Sequence, residues 1–202
     1  TRDGLVIPYV NVQLADGGAD FRSRHNARAV QCWAESRCQV CGGPLGHKFL
    51  LLGTSKALEH LYFDEAPLHP ECARYAAEAC SMIRGDLTHY ATGAPLAWRG
   101  RGKSCPDPGC DCGGWVPTPG FEQDLERERP ALPWFAVWAR GFSIAVTGDG
   151  EVHGGLVSPD YVIRVRQIST PVGGPLRPWA DVPDWIDHYS VPSTSTYVGR
   201  RR

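Results

Sequence analysis

Two matched pairs of ligand-type residues constrain this chain more than any other feature. They are Cys38 and Cys41 in "RCQVCGGPL", and His69 and Cys72 in "PLHPECARYAAEAC". Two thiolates separated by two residues reach one ion only where the backbone turns tightly, and glycines 42 and 43 permit such a turn. A closed tetrahedral site needs two more donors, and His69 and Cys72 offer them at the same spacing. Pro70 suits the first position of a helix, where its missing N–H costs nothing. The second pair is therefore expected at a helix start, where partial positive charge favours a thiolate. The expected site is one Zn2+ held by Cys38, Cys41, His69 and Cys72. The rival reading makes Cys72 a core thiol and His69 a surface cap.

Of the remaining cysteines, Cys80 is excluded from this site. Eight helical positions separate it from Cys72, a rise of ~12 Å, whereas two sulfurs on one zinc lie within ~4.6 Å. Cys80 is expected in core packing or in another site, and Cys32 in core packing. Cys105, Cys110 and Cys112 fall within eight residues of a Gly- and Pro-rich stretch, and a second zinc is a sensible organiser for such a loop. Its fourth ligand would come from Cys80, His89 or His153. The alternative is a reduced, unliganded loop.

The same residues carry no catalytic assignment. A zinc deaminase places His-x-Glu at a helix start and a Pro-Cys-x-x-Cys later in the chain. His69-Pro70-Glu71 meets the first requirement, but no Cys-x-x-Cys follows it, and Cys38 and Cys41 would be stranded. Glu71 is better read as a first-turn acid that complements the helix dipole. An HNH-like nuclease needs a histidine base on a hairpin; His60 is the candidate, but no matching Asn and His pair follows on the helix. A packing histidine is the plainer reading of His60.

Around these motifs the expected architecture is α+β. A zinc-knuckle, treble-clef-like N-terminal half carries two helices (20 to 37 and 70 to 83) and a hairpin (48 to 53 with 58 to 65). A strand covers 5 to 14. In the second helix Cys72, Tyr75, Ala76, Ala79, Cys80 and Ile83 have the spacing of one buried stripe. From residue 134 the period changes to two, predicting a small antiparallel β lobe with a turn at 148 to 150. An extended Pro-rich tail follows. The expected divisions are 1–92 for the zinc-finger domain, 93–133 for a Gly/Pro/Cys-rich connector with a short charged helix at 121–129, 134–170 for the β lobe and 171–202 for the tail.

The N-terminal part resembles a group of small, uncharacterised zinc-finger proteins of actinobacteria and their phages. The likeness rests on Ile7-Pro8-Tyr9, the Cys-Gln-x-Cys knuckle, the ligand pair at a helix start and a further cysteine eight residues on, here Cys80. It covers about residues 5 to 84 and implies the metal ligands Cys38, Cys41, His69 and Cys72, but no activity. Some relatives carry the helix pair in the order Cys then His, the reverse of this chain. Only three of the 21 basic residues are lysines, a bias in keeping with a GC-rich source.

Net charge is −1, so no global positive field draws the chain to nucleic acid. No window approaches the ~18 to 20 apolar residues that span a bilayer, and "TRDGLVIPYV" lacks the long apolar core of a signal peptide. The expectation is a cytoplasmic protein of a bacterial host with no membrane contact. The leading functional reading is a zinc-stabilised, non-enzymatic binding protein acting through a host or phage protein partner; seven tryptophans favour this mildly. The second is a nucleic-acid-binding zinc-finger protein using Arg22, Arg24, Arg28, Arg99, Arg101 and Lys103 on phosphates. The metal-dependent nuclease or deaminase is third.

Overall fold

The structure, a computed structural model, describes residues 4–14, 17–90, 129–148, 150–169 and 197–200. Cys105, Cys110, Cys112, Arg99, Arg101, Lys103, the expected helix at 121–129 and most of the tail lie outside the described residues.

The fold is α+β. Short β1 (Asn11–Gln13) and β2 (Ala19–Arg24) form an antiparallel pair, followed by α1 (Asn26–Ala34). The knuckle comes next, then β3 (Phe49–Thr54), α2 (Ser55–His60), β4 (Tyr62–Phe63), α3 (Pro70–Ala79) and α4 (Ser81–Arg84). After residue 129 come β5 (Trp134–Ala139), β6 (Ser143–Val146), β7 (Val152–Leu156) and β8 (Val162–Ser169). From the tail, β9 (Tyr197–Arg200) adds to β6.

Four elements differ from the sequence expectation, the first being the strand expected over 5 to 14, which spans only Asn11–Gln13. The helix expected from residue 20 begins only at Asn26, with His25 as its N-cap, because residues 19 to 24 extend to pair with β1. The expected hairpin of 48 to 53 with 58 to 65 does not form: only Tyr62–Phe63 of the second segment is a strand, and it pairs with β7 instead of β3. "SKALEH" (55 to 60), made mostly of good helix formers, is a helix that buries Leu58 and stops at Leu61 in the left-handed region. The helix expected over 70 to 83 breaks at Cys80, whose extended backbone ends α3 and starts α4. That break leaves Cys80 exposed and not in the core. Ala73 is the buried residue of α3.

The strands on either side of residues 93 to 133 are interleaved in shared sheets. β3 pairs with β5 and β5 with β8, all antiparallel; β4 pairs with β7, which continues to β6 and β9. The Thr147–Glu151 turn closes the β6–β7 hairpin, as its glycines predict.

The β3–β5–β8 sheet is buried on both faces, which explains the nearly continuous apolar runs "FLLLG" and "WFAVWA". Phe49, Leu51, Phe135, Val137 and Ala139 face the larger core, with Trp33 and Cys32 of α1, Leu58, Phe63 and Val157. Leu50, Leu52, Trp134, Ala136 and Trp138 face a smaller core with Cys38, Val40, Leu68 and Ala73. The period-two alternation thus assigns each strand's side chains to opposite cores. In the larger core, Trp33 lies so close to β7 that a Cβ on Gly155 would sit 2.2 Å from its ring. Glycine is the side chain that this contact admits.

Candidate metal centre

Each ligand pair is held by main-chain bonds that the sequence makes available. In the knuckle, Gly42 N–H donates to the Cys38 carbonyl and Cys38 N–H to the Gly43 carbonyl, both at 2.8 Å. Gly42 has φ +72°, in the left-handed region, and its Cα lies against the Tyr9 ring, where a Cβ would approach to 3.0 Å. Both the turn and the close approach require glycine here. Tyr9 N–H donates to the Val40 carbonyl at 2.9 Å and Val10 N–H to that of Gln39 at 3.1 Å. The "IPY" segment is therefore a brace for the knuckle.

The second pair is brought in by β3. Leu50 and Leu68 exchange two main-chain hydrogen bonds, at 2.9 and 2.8 Å, and Gln39 N–H donates to the Pro67 carbonyl at 3.1 Å. The chain then enters α3 at Pro70, with His69 as N-cap residue and Cys72 in the first turn. Glu71, beside them, is exposed.

The result is a converged donor set. One nitrogen of His69 and the sulfurs of Cys38, Cys41 and Cys72 all lie within 4.8 Å of one another. This is the single such group of three or more His, Cys, Asp or Glu residues among the described residues. His69 Nδ1 is 3.3 Å from Cys41 Sγ, near the ~3.5 Å that a tetrahedral ion with Zn–N ~2.0 and Zn–S ~2.3 Å implies. On the other side of the ring, His69 Nε2 is 2.9 Å from the Pro44 carbonyl oxygen. That oxygen only accepts, so Nε2 carries a proton and Nδ1 is the nitrogen that faces the sulfurs, available to an ion once it is deprotonated. A metal-binding histidine is held by this kind of outer hydrogen bond.

The electrostatics also fit a cation. Burial, together with the sulfurs of Cys38 and Cys41, pushes the Cys72 thiol far up. Three sulfurs this close cannot all be thiolates unless positive charge lies between them. Burial also pushes Cys41 up, but the Gly43 N–H and contacts with Cys38, His69 and Cys72 outweigh it and leave Cys41 below its ordinary value. Burial pulls His69 down, yet the Pro44 carbonyl and Cys41 together hold it above its ordinary value. The donors therefore suit a single divalent ion such as Zn2+, with sulfur and imidazole filling four tetrahedral positions. Cys38 is fully buried, His69 and Cys72 are partly buried, and Cys41 is exposed.

The other sequence candidates stand apart from this cluster. Cys32 is fully buried in the larger core, where burial foremost pushes its thiol up to about 12, so it remains protonated. Cys80 and His89 are exposed, and His153 is half-buried on β7. His60 is the exposed last residue of α2 and belongs to no hairpin strand. Arg28 donates to the carbonyls of Tyr9 and Asn11 and stacks over the Tyr9 ring at 5.5 Å, while Arg24 donates to the Asp64 carbonyl at 2.6 Å. Both guanidinium groups are engaged within the chain. The sequence carries no signal for Pro44 as a contributor, because its part is played by a main-chain carbonyl. No helix among the described residues is long and apolar enough to cross a membrane. Comparison with protein-family models, curated proteins and solved structures returned no match.

Proposed function

We propose that the chain is a zinc-stabilised binding protein, in which one Zn2+ bound by Cys38, Cys41, His69 and Cys72 cross-links the knuckle to α3. The observation that carries this reading is the convergence of four donors within 4.8 Å, with the His69 tautomer set by Pro44. The ion would supply charge neutralisation and a rigid cross-link. The chain supplies the rest: tight turns around Gly42, the brace from Tyr9 and Val10, and the seating of α3 on β3. Four protein ligands complete the tetrahedron, which is the pattern of structural sites; catalytic zinc sites keep a position for water. The role is accordingly scaffolding, and the surface built on it acts by binding. A net charge of −1 and seven tryptophans support a protein as the partner, which we place as a host or phage protein in the cytoplasm of a bacterial host.

The test is metal content together with partner capture. One zinc per chain, lost in Cys38→Ser, is expected if the four-residue site acts alone; a second equivalent, lost in a Cys105→Ser, Cys110→Ser double variant, would assign the later cysteines. Purified protein that is metal-free yet fully folded would defeat the scaffold reading. Capture from host lysate should return a stoichiometric protein whose binding fails when zinc is removed. Nucleic-acid binding is the second reading. The engagement of Arg24 and Arg28 inside the chain weighs against it, and it would require DNA or RNA affinity that falls steeply with salt.

A further inference from the structure

Away from the metal centre, a cleft of about 280 Å³ opens between the loop that leaves the knuckle and the turn that joins β5 to β6. Its base is apolar and braced. Phe142 meets Trp33 edge-on at 5.0 Å and Phe49 at 5.6 Å, and Leu45 and Ile144 complete the walls. Leu45 is fixed by its N–H bond to the Ser36 carbonyl at 2.9 Å. On the opposite wall Gly141 packs on the Tyr161 ring, with room for no Cβ: one would come within 2.8 Å. These walls are set by contacts already made in the fold.

Arg140 carries the one formal charge in the cleft's lining, and Ser36 and His47 supply its other polar side chains. Arg140 donates from Nη2 to the Asp160 carbonyl at 2.7 Å, a bond that aims the guanidinium without neutralising it. No carboxylate pairs with Arg140 among the described residues, and His47 makes no hydrogen bond among them. An exposed arginine held in place and an imidazole, lining one cleft with an aromatic base, have the recognition chemistry for a carboxylate on an apolar body. The planar guanidinium presents paired N–H donors that match carboxylate geometry.

We infer that this cleft binds a small monocarboxylic acid carrying an aromatic or branched aliphatic group. The apolar part rests on Phe142, Leu45 and Ile144, and the carboxylate faces Arg140 and His47. At about 280 Å³ the cleft lies just below the ~300 Å³ at which drug-sized ligand sites begin, which limits the occupant to a small molecule. Pro44, next to Leu45 of the cleft's wall, ties that loop to His69.

Calorimetric titration of the protein as purified with 4-phenylbutyrate, and with the neutral 4-phenylbutanamide, tests the inference. The acid is expected to bind saturably at one site, and the amide at least tenfold more weakly. Arg140→Gln is expected to weaken the acid at least tenfold and leave the amide unchanged; His47→Ala should weaken the acid by a smaller factor. If Arg140→Gln does not fold, the acid–amide ratio in the parent protein and the His47→Ala titration decide. Non-saturable binding, equal affinity for acid and amide, or undiminished acid binding in a folded Arg140→Gln protein would each overturn the proposal.

Discussion

On one face of the β3–β5–β8 sheet, fourteen buried residues from α1, α2, β4, the strands themselves and the connecting positions Val10, Leu61, Ala66 and Val157 form a continuous core. On the other face seven buried residues do so, and one of the seven is the ligand Cys38. The larger face includes Trp33, Phe49 and Phe63, while among the described residues the smaller has no fully buried aromatic side chain. A small core rarely holds its elements alone, and metal ions or other cross-links commonly make up the difference. The contrast teaches where the donors had to be. They lie where apolar burial is thinnest, and they join elements separated by about thirty residues of sequence.

Chelating the metal should therefore produce the largest effect and an unequal one. Structural zinc sites supply ~10 kcal/mol or more of binding free energy, and that energy is linked to folding. Amides that bridge the knuckle and the α3 approach, Gln39 to Pro67 and Leu68 to Leu50, are expected to exchange at least a hundredfold faster. The Val157 amide, bonded to Leu61 on the larger-core side, should change less than tenfold. Native-state hydrogen exchange with and without chelator reads this directly. Equal acceleration of all three amides would show that the two faces open as one unit and would erase the distinction.

The larger face has its own point of failure. A Cβ at Gly155 would lie 2.2 Å from Cζ3 and 2.6 Å from Cη2 of Trp33, and Trp33 is only 2% exposed. Gly155→Ala should therefore cost about 3 kcal/mol, at the upper end for overpacking, with zinc content unchanged. Gly43→Ala is the matched control beside the metal site. Its nearest neighbours, Cys41 Sγ and His69 Cε1, would be at 3.5 Å, an ordinary contact, and the expected loss is under about 1 kcal/mol. Urea melts of both variants, with metal analysis, make the comparison. If Gly155→Ala released the metal, the two faces would be coupled more tightly than their separate cores imply.

The two regions also differed in how much the sequence disclosed. The donor set was legible because ligand chemistry restricts both residue type and spacing, and Cys38, Cys41, His69 and Cys72 do converge. The apolar runs at 49 to 53 and 134 to 139 announced buried strands. Their partners were hidden, because pairing between β3 and β5 depends on contacts some eighty residues apart that no local pattern encodes. "SKALEH" was misread for a related reason: Leu58 satisfies either a strand or a one-sided helix, and the choice falls to helix propensity and to the Leu61 turn. The stripe through Cys80 followed helical periodicity, but a helix break at one residue cancels the register beyond it. Pro44 was invisible as a histidine partner because a carbonyl has no side-chain signature.

A smaller, pH-dependent effect is expected at Glu65, which precedes the α3 approach. Part of the residue's surface remains open, but its carboxyl is desolvated. Burial, reinforced by Asp64, raises it above the ordinary range despite Arg24 and the Gln39 amide. A carboxyl raised in the folded state binds its proton more tightly there than in the unfolded chain. Its stabilising contribution is thus complete below the unfolded value, near ~4.3, and is lost as pH rises through the folded value. Glu65→Gln should then stabilise the protein at neutral pH and match the parent in acid. The introduced amide also brings an N–H donor near Gln39 Oε1, which is buried and has no hydrogen-bond partner among the described residues. Denaturant midpoints across pH measure the difference, and a gap that widened on acidification would have the wrong sign.

The smallest effect is expected at the rim of the knuckle, where it tests whether side-chain bonds or the metal keep the turn in shape. Arg37 Nε donates to Glu35 at 2.6 Å while Arg37 Nη1 donates to the Gly42 carbonyl at 3.0 Å. Both partners are well exposed, at 37% and 48%, and exposed pairs of this kind often contribute nothing measurable. The Gly42 carbonyl has the guanidinium as a bond partner whether or not Glu35 is ionised. Glu35→Gln should accordingly leave both the urea midpoint and the rate of zinc release to a chromophoric chelator within the scatter of repeat measurements. A tenfold faster release would mean that Glu35 holds Arg37 on the turn and, through it, the spacing of Cys38 and Cys41. The knuckle would then owe its shape to that surface pair as well as to the ion, and the contrast between a metal-held face and a packing-held face would need a third contributor.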